Sequence, residues 1–322
     1  MAAQSNRDTT NQSDITKMKT EPDGSFKRAD ATFRDVIEAG GKFEPAIDRY
    51  HLYVSYGCPW ATRTLIVRKL KGLDKFIPVT IVSPRMGGDG WPFASVDPFP
   101  GADVDPLYNA QHVKDLYLMA DPDYGGRFTV PILWDTKFKT IVNNESSEII
   151  RIFNTAFNEF LPAETAALDF YPAELRSEID DLNAKIYPNI NNGVYRAGFA
   201  TTQSAYEKAV VELFDALDAI EKHLSGKEYL VGGKLTEADV RLWVTTIRFD
   251  LVYVGHFKCN LRTICDGYPT INQWMRKLYW NNDAFRSSTN FEHIKTGYYW
   301  SQVSINPTRV IPVGPIPNIN PL

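Results

Sequence analysis

The chain has 322 residues, of which 43% are hydrophobic and 13% aromatic, which is the composition of an ordinary globular protein with room for two domains. Its formal net charge of −4 and the lack of a concentrated basic segment count against a nucleic-acid partner. Its three cysteines are widely spaced and form neither a disulfide framework nor a zinc-binding pattern, so no metal is expected.

Several features of the chain bear on its location. No apolar run approaches the roughly 20 residues that span a bilayer, so no membrane partner is expected. Residues 1–30 are polar and lack the apolar segment of a secretory signal. Cysteines outside any disulfide framework suit a reducing compartment. The sequence therefore predicts a cytoplasmic protein.

The two ends of the chain are predicted to lie outside the folded domains. Residues 1–28 are expected to form a flexible N-terminal arm, because up to about residue 25 they carry almost no large apolar side chain. Such a segment cannot offset the entropy of ordering by burial. The proline-rich residues 301–322 are expected to form an extended tail on the surface.

Residues 29–160 are predicted to form a thioredoxin-like domain. Apolar periodicity gives a strand at 51–56, a helix at 59–70, a strand at 76–82, a helix at 109–119, hairpin strands at 129–135 and 139–142, and a helix at 146–157. This order, β-α-β and then β-β-α, is that of a thioredoxin-like unit. A long loop spans 83–126, and its Gly- and Pro-rich first part is too long for a simple connection, which indicates a functional loop.

Residues 161–300 are predicted to form a separate all-helical domain. Helices are expected at 173–186, 203–224, 237–252 and 271–278. The clearest local signal is the start of the third helix, where Thr236 is the expected N-cap, Asp239 returns to the cap amide and Leu235 packs on Val240. The predicted fold class is therefore α+β followed by all-α.

Cys58 is the main candidate for chemistry. A strand runs through Gly57 into Cys58, and Pro59 then opens a helix, which places Cys58 at the N-cap. Unpaired backbone N–H groups and the helix dipole favour a sulfur anion there, so a thiolate is predicted near neutral pH. Ala61 stands where a second cysteine would close a Cys-x-x-Cys disulfide. A mixed disulfide on Cys58 therefore needs a thiol from elsewhere, most simply a small-molecule thiol.

Two other segments of the first domain carry candidate binding groups. Val130-Pro131 precedes a strand, and its X-Pro bond is either an ordinary trans peptide or a cis peptide that offers the Val130 backbone to an extended peptide ligand. Glu145 and Ser146 begin a helix, where exposed amides suit the carboxylate of an α-amino acid and Glu145 suits its ammonium group. An ordinary helix start is the alternative for this pair.

These features, in this order and followed by a helical domain, resemble the glutathione transferase superfamily. From about residue 29 to 315 the chain is similar to one branch of it, the glutathionyl-hydroquinone reductases or Xi class, and the full series of motifs is highly specific. The motifs are Tyr50-His-Leu-Tyr53, Cys58-Pro-Trp-Ala61, Arg63-Thr-Leu-Ile66, Lys69-Leu-Lys-Gly-Leu73, Gly90-Trp91, Val130-Pro-Ile-Leu-Trp-Asp135, Asn144-Glu-Ser146, Asn191-Asn-Gly-Val-Tyr-Arg-Ala-Gly198, Leu235-Thr-Glu-Ala-Asp239, Arg248-Phe-Asp250, His256-Phe-Lys-Cys259 and Ile305-Asn-Pro307.

The resemblance implies a role for each matching residue. Cys58 would be the nucleophile, with glutathione as co-substrate and no metal, and the protein would be a homodimer. The residues that would hold glutathione are Trp91, Arg127, Val130, Glu145 and Ser146. The residues that would line the pocket for the hydroquinone are Tyr195, Tyr253 and Tyr298.

The chemistry of these side chains, considered apart from the resemblance, supports some of the roles that the resemblance implies. An indole in the long loop, Trp91, could cover a ligand and donate a hydrogen bond, or be a lone exposed tryptophan. Tyrosine hydroxyls could hydrogen-bond phenolic oxygens or protonate a departing carbanion, although most of the 16 tyrosines must have core or surface roles. Gly297 and Gln302 depart from the histidines that the family commonly has at these positions. Whether Tyr298 or Tyr299 faces the pocket is therefore open.

The expected reaction is the reduction of a glutathionyl-hydroquinone. The Cys58 thiolate would attack its sulfur and expel the hydroquinone, and a second glutathione would then release oxidised glutathione from the Cys58 mixed disulfide, which gives ping-pong kinetics. One alternative is an omega-like thiol transferase or dehydroascorbate reductase. Another is a non-catalytic ligand carrier with the same fold.

Overall fold

The structure, a computed structural model, describes residues 20–315 and 319–321. In the first domain four strands form one sheet in the order β2-β1-β3-β4, with β1 and β2 parallel and the other neighbours antiparallel. The strands are β1 (Tyr50–Val54), β2 (Val79–Ile81), β3 (Ile132–Asp135) and β4 (Thr140–Asn143), and the helices are α1 (Pro59–Leu70), α2 (Val113–Ala120) and α3 (Ser146–Thr155). The predicted thioredoxin-like order is confirmed.

The rest of the described chain is mainly helical. Its helices are α4 (Ala163–Ala166), α5 (Arg176–Ile186), α6 (Gly193–Gly198), α7 (Gln203–Leu224), α8 (Glu237–Arg248), α9 (Ile264–Gly267), α10 (Pro269–Asn281), α11 (Asp283–Arg286) and α12 (Phe291–Ser301). Wider π-helical turns follow α5 at Tyr187–Asn191 and α8 at Phe249–Tyr253. Such turns occur frequently at functional sites. The predicted class, α+β followed by all-α, is confirmed.

Side-chain caps set where two of the helices begin. The predicted capping box of α8 is present, since the Thr236 backbone N–H donates to Asp239 at 3.0 Å. Helix α2 begins at Val113 rather than at the predicted residue 109, because His112 and Asp115 form a capping box of their own. The second box is harder to find in the sequence, since histidine is not among the preferred N-cap residues.

Helix α1 lies between the two domains. It packs against α3 of the first domain and against α8 and α11 of the second. Because both sides are covered, even the charged Arg63 and Arg68 of this helix are buried. The N-terminus of α1, where Cys58 lies, is therefore placed at the junction between the thioredoxin-like domain and the helical domain.

The prediction of a flexible arm at 1–28 is corrected for its last nine residues, 20–28, while residues 1–19 lie outside the described residues. Phe26 is buried and its ring lies 5.5 Å from the ring of Phe199. The backbone is also tied to the helical domain, since the Thr201 N–H donates to the Gly24 carbonyl at 3.0 Å. Because the arm is polar on average, its one aromatic residue, Phe26, was not recognised in the sequence as an anchor.

His51 on β1 predicts an acid-dependent loss of stability. Burial lowers its pKa to about 4, and its Nε2 lies 2.7 Å from Thr80 Oγ1. The unfolded chain takes up a proton near pH 6.5, whereas the folded chain does so only near pH 4, so stability falls as the pH falls between these values. Between pH 7 and about pH 5 we expect the wild type to lose about 2 kcal/mol more than His51→Gln.

Urea unfolding at the two pH values measures this difference. Thr80→Val is the matched control, because it removes the hydrogen-bond partner and keeps the titrating imidazole, so the pH dependence should persist. Equal slopes for the wild type and His51→Gln would contradict the prediction.

Candidate active site

Cys58 is the N-cap of α1, as predicted. Its backbone is extended, with φ −83° and ψ 118°, and Pro59 occupies the first helical position. The turn before it is closed by a hydrogen bond from the Cys58 N–H to the Ser55 carbonyl at 3.1 Å. A Cβ on Gly57 would lie 3.2 Å from the His293 carbonyl oxygen of α12, so the turn accommodates only glycine without a shift.

The protonation state predicted for Cys58 is corrected. Burial raises the pKa of the Cys58 thiol, and the opposing effects of the Ala61 backbone N–H and the Arg248 guanidinium do not overcome it. The thiol donates a hydrogen bond to the Val130 carbonyl, with Sγ and O 3.4 Å apart. A thiolate would lose this bond. The helix start therefore does not by itself produce a thiolate near neutral pH.

A cleft of about 780 Å³, part of it open to solvent, lies over Cys58. It is bounded by the first domain on one side and by α6 and α12 on the other. The predicted site residues that line it are Cys58, Trp91, Arg127, Val130, Tyr195 and Tyr298. Six of the nine predicted residues thus come together, although they are spread over 240 positions of sequence (Cys58 to Tyr298).

The backbone at Val130 forms the wall of the cleft nearest the thiol. The Val130–Pro131 peptide is cis, as considered from the sequence, and it precedes β3. Arg127, three residues earlier, has its Nε buried without a hydrogen-bond partner in the described structure. Burial lowers the pKa of Arg127, and the nearby positive charge of Arg28 lowers it further.

Glu145 and Ser146 lie at the start of α3 and do not line the cleft. Glu145 is the N-cap of this helix, and its Oε1 accepts hydrogen bonds from the Ser147 N–H and the Ser147 hydroxyl, each at 2.9 Å. Ser146 is buried, and its hydroxyl accepts a hydrogen bond from Arg63 at 3.4 Å. The ordinary helix start is thus what the contacts show, and a ligand role for the pair stays a prediction.

The three predicted tyrosines form one hydroxyl cluster. The Tyr298 hydroxyl of α12 lies 2.7 Å from that of Tyr195 on α6 and 2.8 Å from that of Tyr253 in the π turn. Tyr253 does not itself line the cleft, but it contacts Tyr298, which does. Burial raises the pKa of all three, so each hydroxyl keeps its proton at neutral pH. Tyr299 instead packs on His256, with ring centroids 4.6 Å apart, so Tyr298 is the tyrosine that faces the cleft.

Arg248 of α8 ties the helical domain to the turn that carries Cys58. Its Nη2 donates to the Tyr56 carbonyl at 2.8 Å and to the Thr62 hydroxyl at 2.7 Å. Its Nη1 donates to the Val244 carbonyl of α8 at 2.8 Å. The side chain is fully buried. The backbone before Cys58 is therefore held by a guanidinium from the second domain.

The long loop after β2 is held by α12. The His293 Nε2 lies 2.7 Å from the Pro100 carbonyl oxygen. The Ser301 hydroxyl donates to the Pro84 carbonyl at 2.9 Å and accepts from the Met86 N–H at 3.0 Å. The helix that carries Tyr298 thus also positions the loop that carries Trp91.

Sequence reasoning missed several residues that line the cleft. The most prominent are Arg28, Trp60 and Gln302. Arg28 lay in the segment predicted to be a flexible arm, and the one available signal was its position after an aromatic residue at the end of a polar stretch. Gln302 was noticed only as a departure from the family, and its amide oxygen lies 2.9 Å from His256 Nε2.

Residues 20–315 and 319–321 contain no group of three or more His, Cys, Asp or Glu side chains arranged to hold a metal ion. Within these same ranges, no helix has the length and apolar character needed to cross a membrane.

Comparison with known proteins gives the family. The glutathione S-transferase N-terminal domain matches residues 57–156, and the glutathione S-transferase C-terminal domain matches residues 203–277. The chain is 54% identical over 92% of its length to "Glutathione S-transferase omega-like 2" of Schizosaccharomyces pombe, covering 95% of that protein. It is 51% identical over 91% of its length to glutathionyl-hydroquinone reductase PcpF of Sphingobium chlorophenolicum, covering 90% of it. The chain therefore belongs to the glutathione transferase family.

Solved structures narrow the similarity to one class. The crystal structure of the glutathione S-transferase Xi from Phanerochaete chrysosporium matches with a TM-score of 0.95 and 68% identity, covering 96% of this chain and 98% of that one. The glutathione-bound structure of YqjG from Escherichia coli K-12 matches with a TM-score of 0.85 and 49% identity, covering 90% and 95%. YqjG is also named a glutathionyl-hydroquinone reductase. The Xi class is thus the branch that the sequence motifs indicated.

Proposed function

We propose that this protein is a glutathione-dependent reductase that removes glutathione from glutathionyl-hydroquinones and releases the hydroquinone and oxidised glutathione. The observation that carries the proposal is the cleft itself, in which the Cys58 thiol faces a cluster of protonated tyrosine hydroxyls. PcpF and YqjG, each about half identical to this chain, are named for this activity, and the YqjG structure contains glutathione.

In this proposal the glutathione moiety lies along the first domain. Val130 would pair with its backbone by strand addition, Trp91 would cover it, and Arg127 would receive a carboxylate through the Nε that now has no described partner. Glu145 uses Oε1 as the helix cap, which leaves Oε2 for the ammonium group, and Ser146 lies beside the helix amides that suit the α-carboxylate.

Ligand binding would also activate Cys58. The thiol donates its hydrogen bond to the Val130 carbonyl, which is the acceptor that a bound peptide N–H would take. Displacing the S–H from this carbonyl removes a contact that favours the thiol. The Ala61 N–H, Arg248, the Trp60 N–H and Arg28 all favour the anion and would then stabilise the thiolate.

The reaction itself would proceed in two halves. In the first, Cys58 Sγ attacks the glutathione sulfur, the carbon–sulfur bond to the ring breaks, and the ring carbon carries the proton that a tyrosine hydroxyl helps to transfer. In the second, the thiolate of a second glutathione attacks the Cys58 disulfide and restores the free cysteine. Because Ala61 replaces a second cysteine, glutathione supplies both electrons.

A side-by-side substrate assay tests the proposed function. We expect kcat/KM to be highest for a glutathionyl-hydroquinone, and at least about tenfold lower for dehydroascorbate and small disulfides, because only the hydroquinone can use the tyrosine hydroxyls. Higher efficiency with dehydroascorbate or disulfides would instead assign an omega-like thiol transferase. Binding of an aromatic ligand without any turnover would identify a carrier.

We also propose that the protein is a homodimer in the cytoplasm. Family membership supports the dimer, and Cys58 and Cys259, which are thiols rather than disulfides, suit a reducing compartment. Light scattering that returns the mass of one chain would contradict the dimer. Cell fractionation that recovers the protein with membranes or outside the cell would contradict the location.

A further inference from the structure

Arg28 enters the cleft from the N-terminal segment. The neighbouring Phe26 is anchored in the helical domain, and the Arg28 Nε donates to Asn192 Oδ1 at 2.7 Å. The guanidinium carbon lies 4.5 Å from the ring centroid of Tyr195 and 4.9 Å from that of Trp60. Two aromatic rings and one hydrogen bond therefore fix the position of this cation.

One buried nitrogen of Arg28 has no acceptor among the described residues. Its Nη2 is buried and has no hydrogen-bond partner within the described structure, although the residue lines the cleft. A buried donor without a partner costs about 1 to 3 kcal/mol, and more when it is charged. An N–H held in this way is positioned to donate to an acceptor on a bound ligand.

The position of Arg28 indicates which part of the ligand it meets. Arg127 lies three residues from Val130, on the side where the peptide moiety is expected, whereas Arg28 lies on the ring of Tyr195, in the tyrosine cluster. The two cations disfavour each other, as the effect of Arg28 on the pKa of Arg127 shows. An anion on the tyrosine side of the cleft would relieve this repulsion.

We infer that Arg28 is a further catalytic residue of this cleft, which binds the ring oxygen of the substrate as that oxygen becomes the phenolate of the departing hydroquinone. The inference rests on the proposed function and adds a group that neither the sequence motifs nor the tyrosine cluster supply.

The chemical step balances as follows. A ring hydroxyl first gives up its proton while the carbon that bears sulfur gains one, so the ring is in its keto form. Cys58 Sγ then forms a bond to the glutathione sulfur, the carbon–sulfur bond breaks, and its electron pair passes through the ring to the ketone oxygen. The products are the Cys58–glutathione disulfide, in which the sulfurs are oxidised, and the hydroquinone monoanion, in which the ring carbon is reduced. The negative charge develops on oxygen, where a guanidinium N–H stabilises it.

The experiment compares two substrates that use Cys58 in the same way. One is a glutathionyl-hydroquinone, and the other is the mixed disulfide of glutathione and cysteamine, whose leaving group has no ring and no phenolic oxygen. Arg28→Met should lower kcat for the first by about 100-fold, the effect of losing one donor to an oxyanion. It should change the second by less than about threefold, because Arg28 has the smallest of the effects that favour the Cys58 thiolate, and it should leave KM for glutathione unaltered. Lys27→Met is the matched control, since it removes an exposed charge from the adjacent residue and should leave both rates unchanged.

Each other outcome overturns the inference in a recognisable way. If both substrates slow and KM for glutathione rises, Arg28 binds a glutathione carboxylate instead. If the wild type is active on the glutathionyl-hydroquinone and Arg28→Met has the same activity, Arg28 has no catalytic role and the proposed function stands. If the wild type turns over only the mixed disulfide, the proposed function fails and this role fails with it.

A binding measurement gives a second readout that does not depend on whether Arg28→Met folds. The probe is 4-nitrophenol, whose phenolate form is followed by its absorbance. The wild type should lower the pKa of the bound probe by about one unit, and Arg28→Lys should lower it less, because an ammonium lacks the rigid planar fork of donors that holds Asn192 and the oxygen at fixed positions. An unaltered ionisation of the bound probe in the wild type would overturn the inference.

Discussion

Replacing Cys58 with alanine should lower the reduction of a glutathionyl-hydroquinone by at least about 10³-fold, as is found when an enzyme loses its nucleophile. Neither of the other two cysteines lines the cleft. Cys259 is fully buried, with its pKa raised far above the normal range by burial, and it does not line the cleft. The rate is measured from the hydroquinone released, and mass spectrometry should find glutathione on residue 58 of the wild type alone.

Two further variants make this test specific. Cys58→Ser keeps the size of the side chain and should be as inactive in reduction as the alanine variant. This comparison distinguishes the loss of the thiol's chemistry from the loss of side-chain packing. Cys265→Ser changes the third cysteine, which is outside the cleft, and should keep wild-type activity. Substantial turnover by Cys58→Ala would refute the assignment of the nucleophile.

The second large effect is expected at Arg248. Replacing it with methionine removes donors from the carbonyls of Tyr56 and Val244 and from the Thr62 hydroxyl, all at a buried site. Buried acceptors that lose their donors cost about 1 to 3 kcal/mol each, so we expect the free energy of unfolding to fall by about 3 kcal/mol or more. These contacts also hold the turn before Cys58. We therefore expect kcat/KM to fall by a larger factor than the fraction of folded protein does.

Urea unfolding and steady-state kinetics on the same samples measure both effects. Arg248→Lys keeps the charge with fewer fixed donors and should give an intermediate loss. Arg286→Met is the matched control, because the ion pair of Arg286 with Asp283 is exposed at both partners and should contribute less than about 1 kcal/mol. A stability of Arg248→Met within about 1 kcal/mol of the wild type would contradict this view of the domain junction.

Local patterns in the sequence were enough to predict much of the fold and the position of Cys58. The order of strands and helices, the capping box at Thr236, and Cys58 at the start of a helix that opens with Pro59 all depend on neighbours in sequence. Such patterns act through backbone geometry and hydrogen bonds within a few residues, so they can be read without knowing the tertiary structure.

The errors arose where distant segments meet. The thiolate predicted for Cys58 followed from the helix start alone, whereas the structure adds burial by a second domain, which raises the pKa of the thiol. Arg28 was assigned to a flexible arm because the average composition of residues 1–28 is polar, yet one aromatic neighbour anchors it. Arg248, seen in the sequence as part of a motif, acquires its role only through carbonyls almost 200 positions earlier.

The contact between Gly57 and Gly297 has a consequence for how wide the cleft is. A Cβ on Gly297 would lie 3.6 Å from the Gly57 Cα, which is ordinary contact, whereas a Cβ on Gly57 would press on the His293 carbonyl at 3.2 Å. The turn that carries the thiol and the helix that carries Tyr298 thus touch backbone to backbone, with no side chain between them. A single methyl group at position 57 would therefore move the turn and the helix apart by a few tenths of an ångström. The distance between the Cys58 thiol and the Tyr298 hydroxyl can therefore be adjusted at a residue that takes no part in the proposed chemistry.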